Sequence, residues 1–191
     1  MKTISNFQVP ENWGEITISQ LKALKTVKED ASIQSYFSIL NIFCPDVDVL
    51  ATDLPSVVEA VTEIYKVIQT TPVPQQMQNG EYMIGDETYH VCNIEQLNFS
   101  EFIDFQNMAN TTDEWDKINN LGLILSVITD KPEGTDVMKF AQKIEENVDV
   151  ITGTSLLLFF SDSLTTYLQD TPIYSQYMEQ IQKIRGSQME G

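Results

Sequence analysis

The stretch DLPSVVEAVTEIYKVIQT, residues 53–70, decides the fold class of this chain. Asp53 is suited to the N-cap of a helix, and Pro55 is suited to its first turn. Apolar residues then recur every three or four positions, the spacing of one face of an α-helix. They are Val57, Val58, Val61, Ile64, Tyr65 and Ile68. The stretch therefore predicts an amphipathic helix that ends near Thr70.

Two more helices are predicted upstream of this stretch. Thr17 and Gln20 form a capping box ahead of a short apolar series. Asp30 is suited to cap the second helix, which must end before Pro45 because a residue that precedes proline avoids the α region. The apolar stripe of that helix consists of Ile33, Tyr36, Phe37, Leu40 and Phe43. Residues 1–70 are therefore predicted to form an N-terminal helical part.

Downstream of this part the chain is predicted to leave the helical pattern. Residues 71–80 are rich in Pro, Gln and Asn, a composition typical of an exposed linker. Residues 81–92 alternate between polar and apolar side chains around a Gly-Asp pair at positions 85 and 86, which predicts a β-hairpin with a two-residue turn. In this register Tyr82 faces Tyr89. Because an isolated hairpin is marginally stable in water, we expect it to pack on the helices or on another chain.

The remainder of the chain returns to helical spacing. Residues 93–185 are predicted to form a C-terminal helical part, and residues 186–191 a frayed tail. A mainly apolar helix is predicted over residues 151–168, and a last helix opens at Pro172. Taken together, the patterns predict a mainly α fold, a multi-helix bundle with one small β-hairpin inserted mid-chain, folded as one compact domain.

Two of the helices in the C-terminal part begin at recognisable caps, Asn98 and Thr112. The helix after Asn98 carries Phe99, Phe102 and Phe105, which we expect to lie in the core because aromatic residues at helical spacing usually do. The helix after Thr112 is predicted to be continuous, and its apolar positions are Trp115, Ile118, Leu121, Leu125 and Ile128.

The charge balance restricts the class of partner. The 191 residues include 11 basic and 28 acidic side chains, a net charge of -17. Such a chain repels nucleic acid and anionic membrane surfaces. Residues 81–130 hold 1 basic and 10 acidic side chains, a net charge of -9, so the negative charge is concentrated mid-chain. A solvated surface explains this pattern, and the alternatives are a basic partner protein or mimicry of nucleic acid.

The sequence lacks the usual signatures of an active site. His90 is the only histidine, and no G-x-S-x-G elbow, Walker A sequence or G-x-G-x-x-G motif is present. His90 and Cys92 project from the same face of a predicted strand, but a structural zinc site needs four ligands. We therefore predict no catalytic residue, no cofactor and no metal, although a hydrolase that uses a pair of its many carboxylates stays open.

An acidic cluster before the decisive helix has part of the spacing of a calcium loop. Its members are Asp46, Asp48 and Asp53. The required Gly and Glu are replaced by Ala51 and Val57, so the motif fails.

Four aromatic residues are the candidate partner-binding side chains. Phe159 and Phe160 are adjacent in a helix and cannot both point into one narrow core, so one of them is expected to face a neighbouring helix or a partner chain. Tyr82 and Tyr89 join them because the hairpin is expected to pack either within the chain or on another chain.

The order of parts resembles a known class of protein. Trp13 precedes the capping-box segment ITISQL (residues 16–21), and a helical first half, a Tyr-rich hairpin and an acidic helical second half follow. This order resembles small acidic helical structural and assembly proteins of tailed bacteriophages, including tail assembly chaperones and virion proteins of crAss-like phages that infect Bacteroides. The resemblance covers most of the chain in outline and carries no site motif.

The resemblance implies a non-enzymatic protein that binds other phage structural proteins or itself, with no nucleic acid, membrane or small-molecule substrate as partner. A tail assembly chaperone would shield aggregation-prone tail components, whereas a virion protein would be a ring, connector or accessory part of the particle. Either role implies a location in the virion or the host cytoplasm, and residues 1–13 contain no classical secretion signal. The alternative from a different class is an acidic inhibitor or adaptor that mimics nucleic acid to bind a basic protein.

Overall fold

The computed structural model describes residues 1–27, 32–109 and 114–170, and for residues 114, 115 and 170 the backbone alone. Within these ranges the chain forms eight α-helices and two antiparallel two-stranded sheets, so the predicted mainly α fold is confirmed. The elements are β1 (Lys2–Ile4), β2 (Phe7–Val9), α1 (Ile18–Leu24), α2 (Ile33–Phe43), α3 (Leu54–Ile68), β3 (Glu81–Ile84), β4 (Glu87–His90), α4 (Phe99–Ala109), α5 (Glu114–Asn119), α6 (Leu121–Ile128), α7 (Val137–Asn147) and α8 (Val150–Asp170).

Three of the predicted helix caps are confirmed, those of α1, α3 and α4. The Thr17 hydroxyl accepts a hydrogen bond from the Gln20 amide, and the Gln20 side chain accepts one from the Thr17 amide. Asp53 caps α3 by accepting from the Ser56 amide at 2.9 Å. Asn98 accepts from the Glu101 amide at 3.0 Å and so begins α4. These caps satisfy amide groups that have no partner inside the helix.

The mid-chain hairpin has the predicted register. Tyr82 pairs with Tyr89 and Ile84 pairs with Glu87, with Gly85 in the turn at a φ of 61°. One face of the hairpin packs within the chain, since β3 contacts α7 and the Tyr89 ring lies 5.2 Å from the Phe140 ring. Of the two expected packing partners of the hairpin, the helices of this chain or another chain, the structure shows the helices.

A second hairpin, β1–β2, was not predicted. Its strands have three residues each, and Ile4 pairs with Phe7 across a two-residue turn in which Ser5 adopts a φ of 54°. Ile4, Phe7 and Val9 are buried against α3. The signal was weak because three residues are too few to establish alternation and the turn contains no glycine.

Other boundaries differ from the sequence predictions. Ser32 is the N-cap of α2, and it accepts from the Ser35 amide at 3.2 Å. The helix expected to run without a break to residue 128 is divided at Asn120 into α5 and α6. The predicted caps Asp30 and Thr112, the last helix from Pro172 and the tail lie outside the described residues.

Buried side chains form two clusters, which we call the first core and the second core. The first core contains side chains from residues 4–67 together with Val150. The second core contains side chains from residues 82–164 together with Ile18. Residues 71–80, the predicted linker, run between them without helix or strand and are mostly exposed. Val150, from the C-terminal part, thus lies in the first core, and Ile18, from the N-terminal part, lies in the second core.

Backbone pairing holds the two cores together at the start of α1. The Ile18 amide donates to the Val148 carbonyl at 3.1 Å, and the Val150 amide donates to the Ile16 carbonyl at 2.9 Å. Nearby, Lys22 and Glu145 form an ion pair at 2.8 Å. α1 and the junction of α7 with α8 therefore fasten the N-terminal part to the C-terminal part.

Candidate interaction surface

Two of the four predicted partner-binding residues are core residues. Phe160 is fully buried in the second core, where its ring meets the Phe105 ring edge-on at 4.8 Å. Tyr82 is also buried, and its hydroxyl hydrogen-bonds to the Thr129 hydroxyl. Burial raises the pKa of Tyr82 to about 12. Neither side chain has surface to offer a partner in this fold, because both are packed inside the chain.

The other two residues, Phe159 and Tyr89, are partly exposed. The Phe159 ring lies against Gly80, whose backbone leaves no room for a side chain there: a Cβ atom on Gly80 would be 2.7 Å from the ring. Tyr89 donates a hydrogen bond to Glu87 at 2.7 Å and lies 5.4 Å from the Lys143 amino group. Both rings therefore hold neighbouring elements in place, and each keeps part of its surface accessible.

The most exposed aromatic residue among those with a described side chain is Phe99, which the sequence assigned to the core. Its side chain is 78% exposed, and Ile103, one turn later on α4, is 40% exposed. We call these two residues the α4 strip. Phe105 anchors the opposite side of the same helix in the second core. The expected triple aromatic stripe is thus divided, with one end buried and the other on the surface.

The reason for this division is the geometry of the helix. Residues three apart are offset by about 60° around the axis, and residues six apart by about 120°. Phe99, Phe102 and Phe105 therefore spiral around α4, and a helix that buries Phe105 turns Phe99 outward. Phe102, in the middle, is partly buried against the second core. The offset of about 120° between Phe99 and Phe105 indicates from the sequence that both cannot lie on one narrow buried side, and the tertiary contacts decide which of them is exposed.

Acidic residues surround the α4 strip along the chain. Glu95 lies in the turn before the helix, Glu101 in its first turn, and Asp104 directly follows Ile103. Glu95 and Asp104 are exposed, and Glu101 accepts a hydrogen bond from the Asn98 amide at 3.1 Å. The strip thus combines an apolar centre with negative neighbours, a combination that favours a partner with an apolar pocket and basic residues around it.

A second exposed apolar patch occurs at the start of α3. Leu50 is 83% exposed and Leu54 is 66% exposed, and Val58 follows one helical turn later. Carboxylates flank it, but they have local structural roles. Asp48 accepts from the Leu50 and Ala51 amides at 3.1 and 3.3 Å, and Asp53 caps α3. Capping therefore accounts for two members of the acidic cluster that suggested a calcium loop.

The residues with potential for chemistry are distributed through the fold. His90 is exposed at the end of β4, whereas the Cys92 thiol packs against the second core, where burial raises its pKa to about 11. Burial also raises the pKa of the Cys44 thiol. At neutral pH both thiols are protonated and weakly nucleophilic. Among the described residues no group of three His, Cys, Asp or Glu side chains is placed to hold a metal ion.

Comparisons with protein-family models, with curated proteins and with solved structures gave no match for this chain. In the described part of the chain, no helix combines the length and the apolar character needed to cross a bilayer.

Proposed function

We propose that this protein is a non-enzymatic structural or assembly component of a tailed bacteriophage, and that it binds another protein through the α4 strip. The observation that supports the binding role best is the 78% exposure of Phe99 beside Ile103, in the most acidic part of the sequence. The phage setting rests on the resemblance of the order of parts. The partner is another phage structural protein or a second copy of this chain.

The energetics of an exposed aromatic residue support this role. A phenylalanine that moves from water into a partner's pocket gains about 1.5–3 kcal/mol from burial. Interfaces draw most of their energy from a few such residues. The carboxylates near the α4 strip add little affinity, but they steer a basic partner towards the strip and repel acidic competitors.

The surface is tested by Phe99→Ser with Met138→Ser as the matched control. Met138 on α7 is 68% exposed and lies outside the α4 strip, so both changes remove an exposed apolar side chain. We expect Phe99→Ser to weaken partner capture from phage-infected host cells by about tenfold or more, without lowering the melting temperature. Equal capture of the partner by both variants would remove the α4 strip from the interface.

The two phage roles differ in where the protein ends up. A virion ring, connector or accessory protein stays in the particle at a fixed stoichiometry, whereas a tail assembly chaperone leaves before the particle is complete. Mass spectrometry of purified virions separates these outcomes. Presence at a constant copy number supports the structural role, and presence in the infected-cell lysate with absence from the particle supports the chaperone role. Absence from both would contradict the phage proposal.

The second candidate function is an acidic inhibitor or adaptor that imitates a nucleic acid surface. The net charge of -9 over residues 81–130 favours this alternative. Such binding depends on charge, so affinity for a DNA-binding partner is expected to fall steeply between about 50 mM and about 500 mM salt. Affinity that stays constant over this range would exclude mimicry and leave the apolar interface.

A further inference from the structure

A cavity of about 430 Å³ lies between the two cores, and its lining residues come from both. Its apolar lining consists mainly of Trp13, Leu21, Ile68, Ile118, Leu121 and Leu157. Small-molecule sites commonly have volumes of about 300–1,000 Å³ and mostly apolar linings. None of these lining residues belongs to α4 or to the mid-chain hairpin, so the cavity is separate from the α4 strip.

Several polar groups in the cavity wall are already engaged within the chain. The Trp13 indole N–H donates to the Thr70 hydroxyl at 2.9 Å, and that hydroxyl donates to the Val67 carbonyl at 2.6 Å. The Thr154 hydroxyl donates to the Val150 carbonyl at 2.8 Å. Because its single N–H donor is engaged, the Trp13 indole has no hydrogen bond left to donate to an occupant. This part of the wall favours an apolar occupant.

One charged residue, Lys117, contributes to the described lining. It is the only basic residue between positions 81 and 130, a segment with 10 acidic residues. Lys117 is partly buried, and within the described residues it forms no ion pair. A cation beside an apolar cavity favours a negative group on the occupant, against the repulsion from the net negative charge of the whole chain.

We propose that this cavity binds a small anionic amphiphile, whose hydrocarbon body fills the space between Trp13 and Leu157 and whose anionic group pairs with Lys117. The ligand class is a medium-chain carboxylate or a molecule with the same two parts. Sequence patterns predicted no small-molecule partner, since the lining residues are far apart in the chain and only the fold assembles them. The proposal does not depend on the phage role or on the α4 strip.

Decanoate, kept below its critical micelle concentration, is the probe, and Trp13 is the reporter. Trp115→Phe leaves Trp13 as the only tryptophan, so its emission reports on the cavity wall. We expect a saturable change in emission together with a rise in melting temperature, because a ligand that binds the folded state stabilises it. 1-Decanol has the same chain length without the charge and is expected to bind about two- to fivefold more weakly.

Two substitutions in the cavity wall, each made in the Trp115→Phe protein, locate the ligand. Lys117→Gln is expected to remove the preference for decanoate over 1-decanol, whereas Lys139→Gln, which removes the same charge from an exposed position on α7, keeps it. Leu157→Phe adds bulk to the cavity wall and is expected to weaken both ligands by about tenfold or more. If that variant does not fold, the lysine pair still decides the question.

The proposal is overturned by any of three results. Emission that does not saturate with either ligand would show that the cavity is not a binding site. Unchanged decanoate affinity in a folded Leu157→Phe protein would place the ligand elsewhere. An unaltered preference for decanoate in Lys117→Gln would remove the lysine from the site.

Discussion

A β-hairpin packs on each core, β1–β2 on the first and β3–β4 on the second, but the two hairpins differ in how deeply their side chains are buried. In β1–β2, Ile4, Phe7 and Val9 are all buried. In β3–β4, Tyr82 and Ile84 are buried while Tyr89 stays half-exposed and relies on Lys143 and Glu87. The second core also carries α4, with Phe99 on the surface. The comparison teaches that the hairpin of the first core is held by buried apolar side chains, whereas the hairpin and α4 of the second core keep aromatic and charged groups within reach of a partner.

The largest expected effect comes from emptying each core in turn. Phe7 and Phe160 are both 0% exposed, so Phe7→Ala and Phe160→Ala form a matched pair. Each is expected to lower the free energy of unfolding by about 3–5 kcal/mol through lost burial and the cavity left behind. Because the cores exchange Ile18 and Val150, urea unfolding followed by circular dichroism should show one transition in each variant. Two separated transitions would mean that the cores unfold independently.

A smaller effect is expected where the linker meets the second core. Gly80 has a φ of 61°, and a Cβ atom there would meet the Phe159 ring. Gly80→Ala is expected to cost about 2–4 kcal/mol from backbone strain and steric overlap. Gly134 has a φ of 80° with open space around it, so Gly134→Ala should cost only the backbone strain, about 1–2 kcal/mol. If thermal unfolding shows equal losses of stability in Gly80→Ala and Gly134→Ala, the Phe159 ring does not restrict the side chain at position 80.

The N-caps of α1 and α4 allow two helices to be compared. α1 joins the two cores, whereas α4 packs on the second core alone. Thr17→Ala removes the cap of α1 and is expected to cost about 1 kcal/mol or more. Asn98→Ala removes the corresponding cap of α4, which is an exposed residue, and should cost less. Chemical denaturation measures both values. A greater loss in Asn98→Ala would contradict the view that α1 fastens the two halves.

The smallest expected effect is a pH dependence of the stability contributed by the β3–β4 hairpin. Lys143, and to a lesser degree the Tyr89 hydroxyl, lower the pKa of Glu87 from its ordinary value of 4.5. The pKa of Glu87 is lower in the folded state than in the unfolded state. The interaction of Glu87 with Lys143 therefore stabilises the fold above the unfolded-state pKa, and this stabilisation is lost as the pH falls through the folded-state pKa. Lys143→Gln should therefore lower the melting temperature slightly near pH 7, and this difference should disappear at a pH below the folded-state pKa of Glu87.

The matched control for this pH dependence is Lys139→Gln, which removes a charge from the same helix. Lys139 is exposed and forms no ion pair with a described residue, so its variant should show no loss that disappears in acid. A Lys143→Gln difference that persists unchanged at low pH would assign the effect to packing on Tyr89 instead of the ion pair.

Sequence patterns predicted the structure correctly where a local pattern determines it. The Gly-Asp turn fixed the register of β3 and β4, because a two-residue turn allows only one pairing of the flanking residues. Thr17, Asp53 and Asn98 marked helix starts, because the side-chain acceptor and the amide it satisfies are close in sequence. These features depend on four or five neighbouring residues and not on the rest of the fold.

The candidate sites were harder to predict because they depend on tertiary contacts. The sequence did not distinguish which of Phe159 and Phe160 packs against a neighbouring helix, because the contact that buries Phe160 comes from Phe105 on α4. The cavity is lined by residues as distant as Trp13 and Leu157, which no local window connects. Nothing in sequence marked α1 as the element that joins both cores.

The exchange of Ile18 and Val150 has a consequence for dissecting this protein. A fragment that stops at residue 70 would expose Ile18 to water and leave the place of Val150 unfilled, so a freestanding N-terminal half is expected to be poorly folded. A chain cleaved by a protease within the mostly exposed residues 71–80 is expected instead to stay associated as two complementing pieces. The protein is therefore a natural candidate for split-reporter reconstitution, in which recovery of the fold signals that two tethered halves have met.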